Sequence, residues 1–353
     1  MPDNNPMPDI NPIPGNNPMP DTSSLPGPDL PPAPADAPRV KNHGGISGGK
    51  DSDSLMLWMK YESGYAEETL EFSFSDTGNE AAETYEHIRM LSERVHPITI
   101  LKPPLDFYDL ARSHNRFPTT KARFCTQELK MKPTKAHLEG FMAQGYTVIN
   151  HSGVRASESA DRATLEEWEP AWTSYFGCLG RRPLLRWSLD DVWAIHARYD
   201  IPRNPLYDRG CKRVGCFPCI MSRKSEIALI ATQMPERIDM LDAAEHSFEG
   251  KPSGISTFFS RNMVPVRYRD HTYVTAERTQ QVEATPLAPD ALPFAPDDFP
   301  PQVTVNSPSS QVAIPTIRAV VRWALAGEGF TEALDYDDLE ELPTCDSRSG
   351  LCE

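Results

Sequence analysis

The chain has 353 residues with a formal net charge of −15, 39% hydrophobic and 24% charged, and it contains 35 prolines. That length supports one large domain or two ordinary ones with a real core. The acidic average excludes broad binding of nucleic acid over the whole surface, although local basic clusters remain compatible with it. No stretch approaches the roughly 20 apolar residues of a membrane helix, and the N-terminus lacks a charged-then-apolar signal pattern, so a cytoplasmic protein with no membrane partner is expected.

Residues 1–38 hold 13 prolines, five acids and no base, with Asn4-Asn5-Pro6-Met7-Pro8-Asp9 repeated as Asn16-Asn17-Pro18-Met19-Pro20-Asp21. Such a segment lacks backbone donors and apolar mass, which predicts a disordered tail. Residues 39–280, with 32 acids and 32 bases, carry alternating strand and helix signals and form the expected main domain. Ile46 leads into Ser47-Gly48-Gly49-Lys50-Asp51-Ser52, after which Leu55, Met56, Leu57 and Met59 have helical spacing. Lys41-Asn42-His43-Gly44-Gly45 is too polar and glycine-rich to be expected as a central buried strand. Leu70, Phe72 and Phe74 alternate as a half-buried strand ending in Asp76-Thr77-Gly78. Helix is expected over 80–95 and 134–144, strand over 98–101 and 146–150, and helix again over 188–199 with Ser188 as its N-cap. This alternation predicts an α/β fold: a mainly parallel sheet, helices on both faces, ligands beyond the carboxyl ends of the strands. A proline-rich linker is expected over 281–315, then a short amphipathic helix and an acidic tail over 316–353.

The segment Ser47–Ser52 has the chemistry of a phosphate cradle. Its glycines admit close backbone approach, exposed amides and the positive helix end hold an anion, and Lys50, Ser47 and Ser52 add donors. Walker A spacing is absent. The segment resembles the PP-loop of the adenine-nucleotide alpha-hydrolase superfamily, which implies ATP cleaved between its alpha and beta phosphates, with magnesium. Further motifs narrow the resemblance to the phosphoadenosine-phosphosulfate (PAPS) reductase-like branch. They are Phe74-Ser75-Asp76-Thr77-Gly78 with Glu83-Thr84, Arg123-Phe124-Cys125-Thr126 with Leu129-Lys130, Gly153-Val154-Arg155 with Glu158-Ser159 and Arg162, and Asn204-Pro205-Leu206-Tyr207. The resemblance implies nucleotide contacts from Ser47 to Ser52 and from Asp76, Thr77, Gly78 and Arg162. It implies catalytic roles for Lys50, Asp51, Lys130 and Arg155.

Seven cysteines occur, at 125, 178, 211, 216, 219, 345 and 352. Three thiols within Cys211–Cys219, including a Cys-x-x-Cys, have metal-ligand spacing, and tetrahedral coordination needs a fourth. Cys125, in a family motif, is the candidate, which resembles the cysteine pattern of DndC-type DNA-phosphorothioation enzymes. A 4Fe-4S cluster on Cys125, Cys211, Cys216 and Cys219 is expected, with zinc as the alternative. The intact loop favours ATP as nucleotide and sulfur transfer as reaction. PAPS reduction, with its thiol reductant, and a non-catalytic nucleotide-binding subunit are the other readings. A sulfur-donor protein is a candidate partner, and DNA, tRNA and a small molecule remain open as acceptors.

Overall fold

The computed structural model describes residues 39–248, 255–259, 264–274, 277–281, 302–306 and 310–326. The N-terminal tail, most of the expected linker, and the acidic end with Cys345 and Cys352 lie outside the described residues. A six-stranded sheet runs in the order β3-β2-β1-β4-β6-β5, with β1 Val40–Gly45, β2 Leu70–Ser75, β3 Ile98–Leu101, β4 Thr147–His151, β5 Trp168–Glu169 and β6 Leu179–Arg181. All neighbours are parallel except the edge pair of β5 and β6. From β1 the chain steps outward through β2 to β3, then returns to the other flank of β1 as β4. This places the topological switch point, where such sheets bind ligands, at the carboxyl ends of β1 and β4.

β1 is a central strand, contrary to the expectation from its composition. Its polar side chains are matched within the sheet. Lys41 donates to the Glu68 carbonyl (3.0 Å), Asn42 Nδ2 donates to Thr69 Oγ1 (3.0 Å), and His151 Nε2 lies 3.2 Å from Asn42 Oδ1. His43 is fully buried between Asn150 Oδ1 (2.7 Å from Nδ1) and Ser73 Oγ (2.8 Å from Nε2). Nδ1–H donating to the amide oxygen and Nε2 accepting from the hydroxyl define a neutral imidazole, and burial drops its pKa to about 4. A buried polar strand costs little when every group finds a partner.

Helix α1 (Lys50–Tyr61) follows β1 and presses Leu55, Met56, Leu57 and Met59 into the core, each fully buried. At about 2 kcal/mol per buried side chain they anchor the loop that precedes them. Gly44 allows the close approach, because a Cβ there would stand 3.0 Å from Met59 Sδ and Phe72 Cδ1. α2 (Ala82–Arg94) links β2 to β3, and α3 (Phe107–Ser113) is capped by Asp106. Between β3 and β4 the chain runs through α4 (Phe124–Thr126), a π-helical turn at Gln127–Met131 and α5 (Lys132–Ala143) without a break, so the expected helix begins earlier than its spacing indicates. A short α6 (Ala160–Ala163) precedes α7 (Leu189–Arg198), which starts at Ser188 with a reciprocal cap between Ser188 and Asp191.

A second apolar core joins α8 (Pro205–Asp208), α9 (Lys224–Gln233), α10 (Pro235–Glu245) and α11 (Ile317–Leu325), and includes Cys211, Val214 and Phe217. The helix expected near 316–328 is thus α11, with Ile317, Ala319 and Val320 buried. β7 (Asp270–Val274) pairs with β10 (Ser310–Ile314), and β8 (Glu277–Gln281) with β9 (Gln302–Asn306). β9 and β10 fall within the expected linker, where Val303, Val305 and Val312 supply strand propensity. Cys178 is buried against Leu138, Val148 and Phe176 and acts as a small core hydrophobe.

Candidate functional site

Ser47–Ser52 lies at the carboxyl end of β1 and opens α1. Gly48 holds a φ of +76°, and a Cβ there would press Thr84 Cγ2 at 3.1 Å. The turn is closed from within: Ser47 N donates to Ser52 Oγ (3.2 Å), and Ser52 Oγ donates to the Gly49 carbonyl (2.9 Å). It is braced from outside by the Asn204–Tyr207 motif. Asn204 Nδ2 donates to the Gly48 carbonyl (3.2 Å), and the Tyr207 hydroxyl accepts from the Lys50 amide (3.0 Å). His196 Nε2 lies 3.1 Å from the Lys50 carbonyl. That motif's contribution is to hold the loop in shape.

Charges alternate from the loop outward. Asp51, fully buried, pairs with Lys50 and with Arg155 Nε; Glu158 pairs with Arg155 (3.8 Å) and with Arg162. Arg155 and Arg162 are themselves buried. Three cations against two carboxylates leave a net positive row beside the loop, suited to a polyphosphate.

The Asp76–Gly78 turn ends β2. Asp76 Oδ1 accepts from the Gly78 amide (3.1 Å) and the Tyr85 hydroxyl (2.7 Å), so this carboxylate caps its own turn. Gly78 has φ +73°, and a Cβ there would collide with Asp106 Cβ at 2.7 Å. Thr77 is buried, donates to Glu80 Oε1 (2.6 Å) and lies 3.6 Å from Cys216 Sγ. Glu80 is a site residue that the spacing of motifs did not reveal. It is buried, pairs with Cys216 in an isolated β-bridge, accepts from the Asn79 amide (3.2 Å) and the Tyr85 hydroxyl (3.1 Å), and lies 3.9 Å from Cys216 Sγ. Arg237 on α10 fastens the two loops together through the carbonyls of Asn79, Glu80 and Phe217. Only the fold joins it to residues about 160 positions earlier in the chain, so sequence carries no signal for it.

Two cavities adjoin. One, with about 410 Å³ of empty space partly open to solvent, is lined by Ser47, Ser73, Ser75, Glu80, Thr134 and neighbours. The other, of about 710 Å³ and also partly open, contains Thr77, Cys125, Cys211, Cys216 and Cys219 in its wall. Lys130 and Gly215 line both. The Cys125 thiol is pushed up to about 12, first by burial and then by the charges of Cys216 and Cys219, with Lys130 opposing. Burial likewise lifts Cys216 to about 11. Burial pulls Lys130 down, but Cys216, Glu80, Cys219 and Cys125 more than reverse it, so it stays a cation at neutral pH. Cys211 answers to a different neighbourhood. Burial raises it to about 11, and its charged neighbours are Glu226, Arg209 and Glu83.

All four expected ligands line the one cavity, with different charged neighbours: Cys216, Cys219 and Lys130 for Cys125, and Glu226, Arg209 and Glu83 for Cys211. Among the described residues no group of three or more His, Cys, Asp or Glu side chains gathers around one point as a bound ion requires. Four thiols in the wall of one cavity suit a sulfur-ligated metal in donor type. Among the described residues no helix is long and apolar enough to cross a membrane.

The phosphoadenosine phosphosulfate reductase domain model matches residues 44–222, which contain the loop, the charged row and the four cysteines that line the larger cavity. The uncharacterized 37.8 kDa protein in the gpa 5′ region of Escherichia phage 186 is 34% identical over 271 residues, covering 63% of this chain and 80% of that protein. Adenosine 5′-phosphosulfate reductase 1 of Bacillus subtilis is 30% identical over 154 residues, covering 42% of this chain and 62% of the reductase. Among solved structures, phosphoadenylyl-sulfate reductase from Candida auris, in a phosphate complex, aligns with a TM-score of 0.40 at 18% identity, covering 51% of this chain and 82% of that one. With half of its length matched by the domain model, the chain belongs to the phosphoadenosine phosphosulfate reductase domain family.

Proposed function

We propose that this chain is a sulfur-metabolism enzyme that binds ATP at Ser47–Ser52, cleaves it at the alpha phosphate and passes the activated substrate to the thiol cavity. One observation carries the reading: the phosphate loop and the thiols open onto adjoining cavities that share Lys130 as a wall. A substrate oxygen attacks the alpha phosphorus, the bond to the beta-phosphate oxygen breaks, and pyrophosphate leaves. The amides of the loop, Lys50 and the Arg155–Arg162 row hold the departing charge, with magnesium as the expected counterion. A sulfur donor then attacks the substrate atom that bears the adenylated oxygen, the bond from that atom to the oxygen breaks, AMP leaves with the oxygen, and Lys130 stabilises the anion that forms between the cavities.

Cys125, Cys211, Cys216 and Cys219 are the residues that would hold an iron–sulfur cluster, with zinc as the alternative. A bound cluster would supply electron-transfer capacity beside the nucleotide. The similarity to adenosine 5′-phosphosulfate reductases favours a second reading, release of sulfite from a sulfated nucleotide.

Pyrophosphate release from ATP by the purified protein, set against sulfite release from PAPS when a dithiol reductant supplies the two electrons, separates the two. Lys50→Ala should weaken ATP binding by about 1.5–3 kcal/mol, the range for a hydrogen bond to a charged group. Unchanged affinity by calorimetry removes the loop from the site. Iron determination on anaerobically purified protein tests the cluster: Cys216→Ser should lose iron and Cys178→Ser should keep it.

A further inference from the structure

Cationic side chains in the main domain are concentrated where the thiols are. Residues 112–135 and 203–224 together hold 13 of the 32 bases of residues 39–280 but only two of their 32 acids, Glu128 and Asp208. These are the two segments that bring Cys125 and the Cys211–Cys219 group to the thiol cavity. Several of these cations are committed, as in the pairs of Arg112 with Asp109, Lys132 with Glu128 and Arg209 with Glu83. Four others, Arg116 and Lys121 on one segment and Lys212 and Arg213 on the other, have no acidic partner among the described residues. Arg116, Lys121 and Lys212 are exposed, and Arg213 lines the cavity itself, as does Glu226.

An aromatic surface accompanies the charge. The His114 ring stacks on Phe124 at 4.0 Å between centroids and 14° between planes, and the Arg116 guanidinium lies 5.7 Å from the Phe124 centroid. His114 is exposed, and Phe124 directly precedes Cys125. A flat ring, an arginine and unpaired lysines, carried by the two segments that supply the cavity's cysteines, match a strand that offers phosphates at regular intervals and unstacked bases between them. A rigid duplex presents no free base face to such a ring along its length, and a run of acidic side chains carries no aromatic group to stack there.

We propose that the rim of the thiol cavity binds single-stranded nucleic acid, with one base stacked on His114 and the backbone spanning Arg116 and Lys121 on one side and Lys212 and Arg213 on the other. The strand then presents the sulfur acceptor to the cavity. The proposal rests on the reading of that cavity as the reaction chamber, and it needs no contact with the phosphate loop.

Fluorescence anisotropy with a labelled oligonucleotide of about 12 residues, within the range of single-strand site sizes, tests it across a salt series. Affinity should fall as salt rises. The triple variant Lys121→Gln, Lys212→Gln, Arg213→Gln should weaken binding and reduce the slope of log K against log salt by about two, since each single-strand phosphate contact contributes about 0.7. His114→Ala should weaken binding about tenfold with the slope unchanged, as loss of one stacked base does. ATP calorimetry on the same variants verifies the fold. No binding at low salt by protein that still binds ATP overturns the proposal and leaves the nucleotide reading standing. A triple variant with the wild-type slope overturns it as well. Equal competition by polyglutamate, with His114→Ala silent, identifies the rim as a site for an acidic protein instead. Strand binding by protein that binds no ATP upholds the rim and sinks the nucleotide reading alone.

Discussion

Asp51 concentrates the logic of the site in one carboxylate. It is fully buried, and its oxygens are shared by Lys50 from its own turn and Arg155 from beyond β4. A buried charge survives only when matched, so removing it leaves two cations with one fewer counterion. Asp51→Ala should destabilise the fold by about 3 kcal/mol, the lower range for breaking a buried pair, and should at the same time tighten binding of inorganic pyrophosphate. Urea melts and calorimetry read the two effects separately. Loss of stability with weaker pyrophosphate binding would show that Asp51 orients the cations rather than competing with the anion. At this scale the sequence was informative where a motif is local. Ser47–Ser52 takes the expected turn between β1 and α1. It was silent where partners are remote. Glu80 sits two residues beyond the Asp76–Gly78 motif, and Arg237 reaches the same loop from α10. Cys211 lines the same cavity as Cys125, Cys216 and Cys219, and the charges that act on it come from Glu226, Arg209 and Glu83, which spacing does not reveal.

At the level of elements, hydrophobic periodicity located α1, β2, α2, β3 and α7 closely, because each packs an apolar face on its neighbours. β1 defeated the same reasoning. Its specification lies in cross-strand hydrogen bonds to Thr69, Ser73, Asn150 and His151, none of which is visible in a pattern of apolar residues. The π-helical turn at Gln127–Met131 escaped for a related reason. It is a local widening between α4 and α5 that turns Leu129, Lys130 and Met131 inward. β1 also makes a steric demand at Gly44. Gly44→Ala should cost about 1–3 kcal/mol, the usual penalty for overpacking, because Met59 Sδ and Phe72 Cδ1 both stand 3.0 Å from the new methyl. Thermal denaturation measures this, and pairing the change with Met59→Ala should recover part of the loss. A Gly44→Ala protein as stable as wild type would mean that α1 does not approach β1 so closely.

Across the whole molecule, buried titratable groups set a window of stability. His43 and His151 remain neutral in the sheet, where burial drops them to about 4 and about 3 from an unfolded value near 6.5. Their stabilising contribution is complete above pH 6.5. It is lost as pH falls from there toward the folded values, because the unfolded chain takes up protons that the native sheet refuses. Glu245, at the end of α10, has the opposite sign. It is fully buried, and its oxygens accept from the Phe258 amide (2.7 Å) and the Ile317 amide at the start of α11 (2.8 Å). Burial raises it to about 8, so the native state holds a proton that the unfolded chain releases near 4.5. Its contribution is present below pH 4.5 and declines as pH rises through 8. Each group contributes a slope of about 1.4 kcal/mol per pH unit within its own range. Below pH 6.5 the two histidines outweigh the glutamate, and above it the glutamate acts alone, which places the maximum contribution of these three groups near pH 6.5. Urea melts across this range should show Glu245→Gln flattening the alkaline limb by about one proton and steepening the acid limb above pH 4.5 by the same amount, and His43→Asn flattening the acid limb alone. If Glu245→Gln leaves the alkaline slope intact, the carboxyl that joins α10 to α11 is ionised in the native protein, and the second core tolerates a buried charge.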